Sequence, residues 1–135
     1  MLIASSLDHK ALIWKLKTMR VLHTLTGHKD NINACRLSYS KKSALTGSLD
    51  RTIKFWDLDK GICFKTNICM SQCFDLNMQL SETYVASAHF DGTIRIWSIK
   101  TGELAQEIKG AHDDIITSVK FTPDEKYVII APNQI

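Results

Sequence analysis

Ser48-Leu49-Asp50-Arg51-Thr52-Ile53-Lys54-Phe55-Trp56 has two counterparts in the same chain: Ser6-Leu7-Asp8-His9-Lys10-Ala11-Leu12-Ile13-Trp14 and His89-Phe90-Asp91-Gly92-Thr93-Ile94-Arg95-Ile96-Trp97. In each stretch an Asp precedes a Trp by six residues. From Asp8 to Asp50 and from Asp50 to Asp91 the steps are 42 and 41 residues, and the Trp residues keep the same spacing. Gly61 and Gly102 each open a turn after the Trp segment, and Gly27-His28 is echoed two periods later by Gly110-Ala111-His112. So many unlike features at one period mark a repeat architecture, in which each unit buries its apolar faces against its neighbours.

Between these marks the chain alternates in strand fashion. Cys35 and Leu37, then Phe74, Leu76 and Met78, then Val119 and Phe121 place every second side chain on one face. Polar turns follow at 38–42, 79–83 and 122–126, and a second short strand follows each turn, at 44–48, 84–89 and 127–131. Four strands with hairpin turns per period describe one blade of a β-propeller.

The Gly27-His28 pair, the Ser48-Leu49-Asp50 turn, the Thr52-Ile53-Lys54-Phe55-Trp56-Asp57 strand and the period together resemble the WD40 repeat over essentially the whole chain. The resemblance implies an all-β fold, a partial WD40 β-propeller forming an open arc. Residues 3–25 would supply three outer strands of one blade. Residues 32–66 would form a complete four-stranded blade, with strands near 32–38, 43–48, 52–57 and 62–66. Residues 71–108 would form another, and 116–131 the two inner strands of a further one. Narrower features are similar to the propeller of the autophagy-related protein 16 family: His23-Thr24-Leu25-Thr26-Gly27-His28, Cys63-x-Lys65-Thr66, and His89-Phe90-Asp91 running into Ile94-Arg95-x-Trp97. That family also loses the Gly-His of the second complete blade and keeps a Cys and an Asp there, as Cys73 and Asp75 stand here.

In the family's pattern, His28, Asp50, Trp56 and a hydroxyl from Thr46 or Ser48 form one buried hydrogen-bond network inside a blade. The carboxylate accepts from the imidazole, the imidazole from the hydroxyl, and the hydroxyl from the indole N–H. Asp8 with Trp14 and Asp91 with Trp97 are the corresponding pairs in the other repeats. In the second complete blade Met70 stands where the His belongs, so its network is expected to be incomplete or rebuilt around His89. Apolar packing of Phe74, Leu76, Met78, Ile94 and Ile96 would then hold more of that blade. Asp, His and Ser in proximity also suggest a hydrolase triad, but an imidazole committed inside a sheet leaves no pocket for a substrate.

Composition narrows the remaining functions. The chain has 135 residues, 44% hydrophobic and 23% charged, which suits a folded core and not disorder. Its formal net charge of +3 is mild, and the densest basic stretch (Lys10, Lys15, Lys17, Arg20) is spread across a strand and a turn, so no nucleic-acid footprint emerges. The first residues reach Asp8 and Lys10 too soon for a secretory signal, and no apolar run is long enough to insert into a membrane. Cys35, Cys63, Cys69 and Cys73 therefore read as reduced thiols in a cytoplasmic protein. Cys63 and Cys69-x3-Cys73 invite a zinc site, but no second ligand pair follows at the right spacing, so no metal and no cofactor is expected. No phosphate loop, HExxH, nucleophile elbow or Phe-Arg-Arg-Gly lipid motif is present, and the chain is not expected to be an enzyme.

A propeller closes with four to eight blades, and even four at this period would need roughly 165 residues; seven, as in the resembled family, would need about 290. The expectation is a fragment whose remaining blades are missing, with a natural short form that pairs with another copy as the alternative. Alone, such a piece would expose unpaired strand edges. The resemblance implies a scaffold in autophagosome formation, working with the autophagy conjugation machinery and membrane-recruiting partners at the periphery of autophagic membranes. The alternative is a WD-repeat scaffold of another cytosolic complex, in signalling, RNA processing or microtubule-associated assemblies. Candidate partner-binding residues follow from the turns. The residue before each turn Asp is apolar (Leu7, Leu49, Phe90), and Asp30, Asn31, Arg51, Asp113 and Asp114 would form a polar rim. Alternatively, each tip folds onto its own blade and covers the network beneath it.

Overall fold

A computed structural model describes residues 1–133, and every regular element among them is a β-strand. Strands β1 (Leu2–Ser5), β2 (Ala11–Lys15) and β3 (Arg20–Leu25) form a three-stranded sheet. The first complete blade is β4 (Ile32–Leu37), β5 (Ser43–Ser48), β6 (Thr52–Asp57) and β7 (Ile62–Ile68). The second is β8 (Cys73–Met78), β9 (Tyr84–His89), β10 (Ile94–Ser98) and β11 (Leu104–Ile108), followed by the pair β12 (Ile116–Phe121) and β13 (Val128–Pro132). Every hydrogen-bonded pair is antiparallel and joins strands consecutive in the chain. The four sheets stand side by side, with β4, β8 and β12 adjacent, and the series does not close into a ring.

The repeat is written into the backbone as well as the side chains. Lys41, Glu82 and Glu125, in the turns between first and second strands, have φ of 62°, 56° and 60°. His9, Arg51 and Gly92 occupy the next turn at 66°, 68° and 71°, and Met19, Gly61 and Gly102 the third at 53°, 69° and 71°. A left-handed residue at a fixed place lets a short loop match the twist of the strands it joins. Register shifts recur too. The third and fourth strands slip at Ile13/Trp14, Phe55/Trp56 and Ile96/Trp97, and the first and second at Ile32/Ala34, Cys73/Asp75 and Ile116/Ser118. Bulges sharpen local twist, which fans the sheets.

The core lies between successive sheets. Because strand side chains alternate, Ile53 and Phe55 face forward onto Cys73, Leu76, Val85 and Trp97, whereas Trp56 faces back onto Ala11, Ile13 and Leu25. Ala86, Ala88 and Ile94 continue the series against Ile116 and Val119. The sheets approach closely at Gly47, where an added Cβ would lie 2.5 Å from Cys73 Sγ. Polar side chains tie neighbouring first strands together. Arg36 Nη2 pairs with Asp75 Oδ1 at 3.0 Å, Asp75 Oδ2 accepts from Val119 N at 3.0 Å, and Asn77 Oδ1 accepts from Phe121 N at 2.9 Å.

Candidate functional site

In the first complete blade β5 and β6 run antiparallel, and the loop before β4 brings His28 over their ends. His28 Nδ1 lies 2.8 Å from Asp50 Oδ2, and a carboxylate only accepts, so Nδ1 carries the proton. Nε2 is then an acceptor, and the Thr46 hydroxyl donates to it at 2.7 Å while accepting from Trp56 Nε1–H at 3.0 Å. Burial is the leading influence on His28 and lowers its pKa, keeping the imidazole neutral and consistent with this proton order. For Asp50 burial acts upward, but donation from Thr52, the Lys29 amide and His28 outweighs it and holds the carboxyl at about 2.

Of the two hydroxyls open at the sequence level, the structure brings in Thr46. Ser48 is a correction to the wider network: its hydroxyl points to the loop, donating to Asp30 O at 3.2 Å and Asn31 O at 2.9 Å and accepting from Asp50 N at 3.0 Å. Asp8 and Trp14 are a second correction. Asp8 is exposed and Trp14 half-buried, and Ala4, which aligns with Thr46 at the repeat spacing, has no hydroxyl to join them.

The second complete blade builds its network from different residues. Trp97 Nε1–H donates to Ser87 Oγ at 2.8 Å, and Ser87 Oγ lies 2.7 Å from Nε2 of His89, an imidazole that comes from β9 and not from the preceding loop. Burial first, then the Arg95 charge, lowers the His89 pKa to about 4. Asp91, left without an imidazole, pairs with Arg95 Nη2 at 3.1 Å, and Glu107 takes the same nitrogen at 3.1 Å. Arg95 was not among the site residues expected from sequence. The signal was available: an Asp deprived of its His, with a basic residue four positions on in the strand that leaves the turn. Leu76, Met78 and Ile94 are buried in this blade, while Phe74 and Ile96 are only half-buried.

The turn tips differ from blade to blade. Leu7 is 81% exposed and Phe90 53%, whereas Leu49 is half-buried. Leu49 N donates to Asn31 O and Phe90 N to Gln72 O, both at 3.0 Å, so the two tips are anchored alike. Phe90 also leans on Phe74, with ring centroids 6.3 Å apart and planes tilted by 30°. Arg51, Asp113 and Asp114 are exposed. Asp30 and Asn31 are half-buried, Asp30 Oδ1 accepting from Asn31 N at 2.7 Å, so Asp30 braces its own loop.

The four cysteines are free thiols. Burial pushes the Cys69 thiol up to about 12 and raises the Cys73 thiol as well, leaving neither as a ready thiolate. Among the described residues no three His, Cys, Asp or Glu side chains converge as a metal would require, and no helix is long and apolar enough to cross a membrane.

The family model for the WD domain, G-beta repeat, matches residues 19–57, 66–98 and 102–131. The chain is 38% identical over 121 residues to autophagy-related protein 16 of Arabidopsis thaliana, covering 89% of this chain and 24% of that protein. It is 39% identical over 123 residues to protein tipD of Dictyostelium discoideum, covering 90% of this chain and 20% of that protein. A CCR4-associated factor 4 homolog of Vanderwaltozyma polyspora is 33% identical over 121 residues, or 70% of this chain and 17% of that protein. The chain thus spans a quarter or less of the length of these relatives.

Proposed function

Since the chain belongs to the WD-repeat family, we propose that it is a non-catalytic adaptor module of an autophagy-related protein 16-like protein, docking partners that act in autophagosome formation. The observation that carries this reading is the similarity to autophagy-related protein 16 along 89% of the chain, which takes in the blade whose Gly-His is lost. A seat of chemistry is not needed to account for the polar residues. Both imidazoles are spent on the hydroxyls that accept the indole N–H groups inside their blades, with pKa values lowered by burial.

Docking in this proposal falls to the tips. Phe90 and Leu7 expose large apolar side chains at equivalent turns, and the charged Arg51, Asp113 and Asp114 are exposed in loops at the same ends of their sheets. An apolar centre with a charged rim is the composition of a partner-binding surface. Leu49 contributes less, being half-buried. The test is Phe90→Asp in the whole protein that carries this chain, read by partner recruitment and by melting temperature. Recruitment should fall about tenfold or more, as loss of one central apolar anchor does, with melting nearly unchanged. Loss of folding instead would make Phe90 core, and unchanged recruitment would move the docking surface elsewhere. A coiled coil encoded upstream of this segment would support the autophagy assignment. The similarity to the CCR4-associated factor 4 homolog favours a second reading, a scaffold of another cytosolic complex, and a different upstream domain would select it.

A further inference from the structure

In the first complete blade the His28 imidazole occupies the space between Asp50 and Trp56. In the second blade Cys69, buried, takes the place of His28, and the imidazole of His89 reaches the equivalent hydroxyl from β9 instead. Met70 turns its side chain outward, 82% exposed, on a backbone with φ of 58°. A groove of about 510 Å³ opens beside Asp91 and Trp97, bounded by Ile68 at the end of β7 and by Leu104 and Glu107 on β11. Arg95 lies along it with a side chain only 7% exposed. Its Nη2 holds both Asp91 and Glu107, but its Nη1 is buried and has no hydrogen-bond partner. Buried donors in native proteins are nearly always satisfied, and an exception calls for a specific explanation.

We propose that the missing acceptor is supplied from outside, and that this groove docks an extended peptide segment of a partner protein carrying a Gln or Asn side chain next to an aliphatic one. The charges lining the groove select a neutral group. Arg95 and Lys109 are balanced by Asp91 and Glu107, so an added carboxylate or phosphate would face two carboxylates that already share the guanidinium. A carboxamide fits both needs, its oxygen accepting from Arg95 Nη1 and its N–H groups facing Asp91 or Glu107. Ile68 is 75% exposed, Met70 82% and Leu104 45%, so the groove's mouth offers three aliphatic side chains to the neighbouring residue. β7 and β11 are both outermost strands, and an extended segment can lie between their ends without parting a sheet. The tips Leu7, Leu49 and Phe90 do not line this groove, so the proposal stands apart from docking at the turns.

The test selects a phage library of random dodecapeptides on the chain, then titrates recovered peptides against the chain and against Ile68→Asp, Met70→Asp and Phe90→Asp. Ile68 and Met70 are exposed, so their variants should melt as the parent does. Recovered sequences should be enriched in Gln or Asn beside Leu, Ile or Met. Ile68→Asp and Met70→Asp should each weaken binding about tenfold, as should Gln→Glu in the peptide, while Phe90→Asp leaves it unchanged. Bound peptide should also shift the Trp97 indole resonance. Enrichment of Asp or Glu, which would make this an anion site, overturns the proposal. So does affinity that survives both groove substitutions, or the recovery of no peptide that responds to them.

Discussion

Thr46 is the residue on which the first complete blade's polar network turns, and replacing it separates the hydrogen bonds from the packing. Its side chain is fully buried, and its hydroxyl is both the acceptor for Trp56 Nε1–H and the donor to His28 Nε2. Thr46→Val keeps the volume and removes both roles at once, leaving a buried N–H and a buried imidazole nitrogen unpaired. Each orphaned group costs about 1–3 kcal/mol, so the pair costs roughly 2–6 kcal/mol. The added methyl offsets about 1 kcal/mol of that. Thr46→Ser is the complementary change: it keeps the hydroxyl and loses one methyl, at about 1 kcal/mol plus a small cavity term. Urea unfolding followed by tryptophan fluorescence should therefore rank the chain most stable, Thr46→Ser next and Thr46→Val last. Hydrogen exchange at the Trp56 indole should accelerate in Thr46→Val and stay slow in Thr46→Ser. A Val variant as stable as the Ser variant, with its indole still protected, would refute the proton order assigned to this network.

The other predictions concern the imidazoles, Met70 and the Asp50 carboxylate. His28→Ala strands the Asp50 carboxylate and the Thr46 hydroxyl and should cost about 1–3 kcal/mol, whereas Met70→Ala, at a position 82% exposed, should stay within about 0.5 kcal/mol; equal urea midpoints for the two would remove His28 from the network. His89 has a folded pKa of about 4 against 6.5 for a free imidazole, so below pH 6.5 the unfolded chain binds a proton that the folded chain refuses. Stability should fall by about 3 kcal/mol as the pH drops from 6.5 to 4 and then level off for this group. His89→Gln should flatten that slope in urea titrations at pH 7, 5.5 and 4, and a parent chain equally stable at all three would contradict the assignment. Asp50 acts in a lower window: its carboxyl is depressed from 3.8 to about 2, so the stability it gives is present above 3.8 and is lost as the pH falls through 2.

How much could be read in advance depended on which interactions lie along the strand and which lie across sheets. The period of 41 or 42 residues, the strand alternation and the turn residues are local, and they placed β5 at 43–48 and β6 at 52–57, where the structure has them. The choice between Thr46 and Ser48 was not legible. The two residues are a strand period apart and share a face, so only the height at which the His28 loop crosses the sheet selects one. Met70 was expected to stand where the loop His belongs and to act through packing, but buried Cys69 takes that place, and Met70, with a left-handed φ of 58°, turns its side chain into solvent. The Arg36–Asp75 and Asp75–Val119 bridges were equally invisible, because they join residues about one repeat apart across the gap between blades. Equivalent tips also diverge: the turns at Leu49 and Phe90 are anchored by the same backbone bond, yet one side chain is half-buried and the other leans on Phe74 in the open.

Comparing the two blades shows which part of the repeat is essential to its geometry and which is exchangeable. The hydroxyl and the indole are retained in both: Thr46 with Trp56 and Ser87 with Trp97 sit at matching positions on their second and third strands, at 3.0 and 2.8 Å. The imidazole is retained as a chemical group but not as a position, arriving from the preceding loop as His28 and from the second strand itself as His89. That exchange has a consequence for the carboxylate. Asp50 is consumed by His28, whereas Asp91 is released to bind Arg95, drawing a guanidinium into the blade. A buried cation needs compensation, and Glu107 on the outermost strand provides the second carboxylate. The loss of one loop histidine thus propagates outward through Asp91 and Arg95 to the rim, where the apolar side chains of Ile68 and Met70 are exposed beside the same groove. Restoring the loop histidine by Cys69→His, at the position one repeat after His28, would test this dependence directly. If the imidazole reclaims Asp91, Arg95 should lose a partner and Glu107 alone should hold it, visible as a changed Arg95 side-chain resonance. An unchanged Arg95 signal would mean that the guanidinium, and not the missing histidine, sets the arrangement.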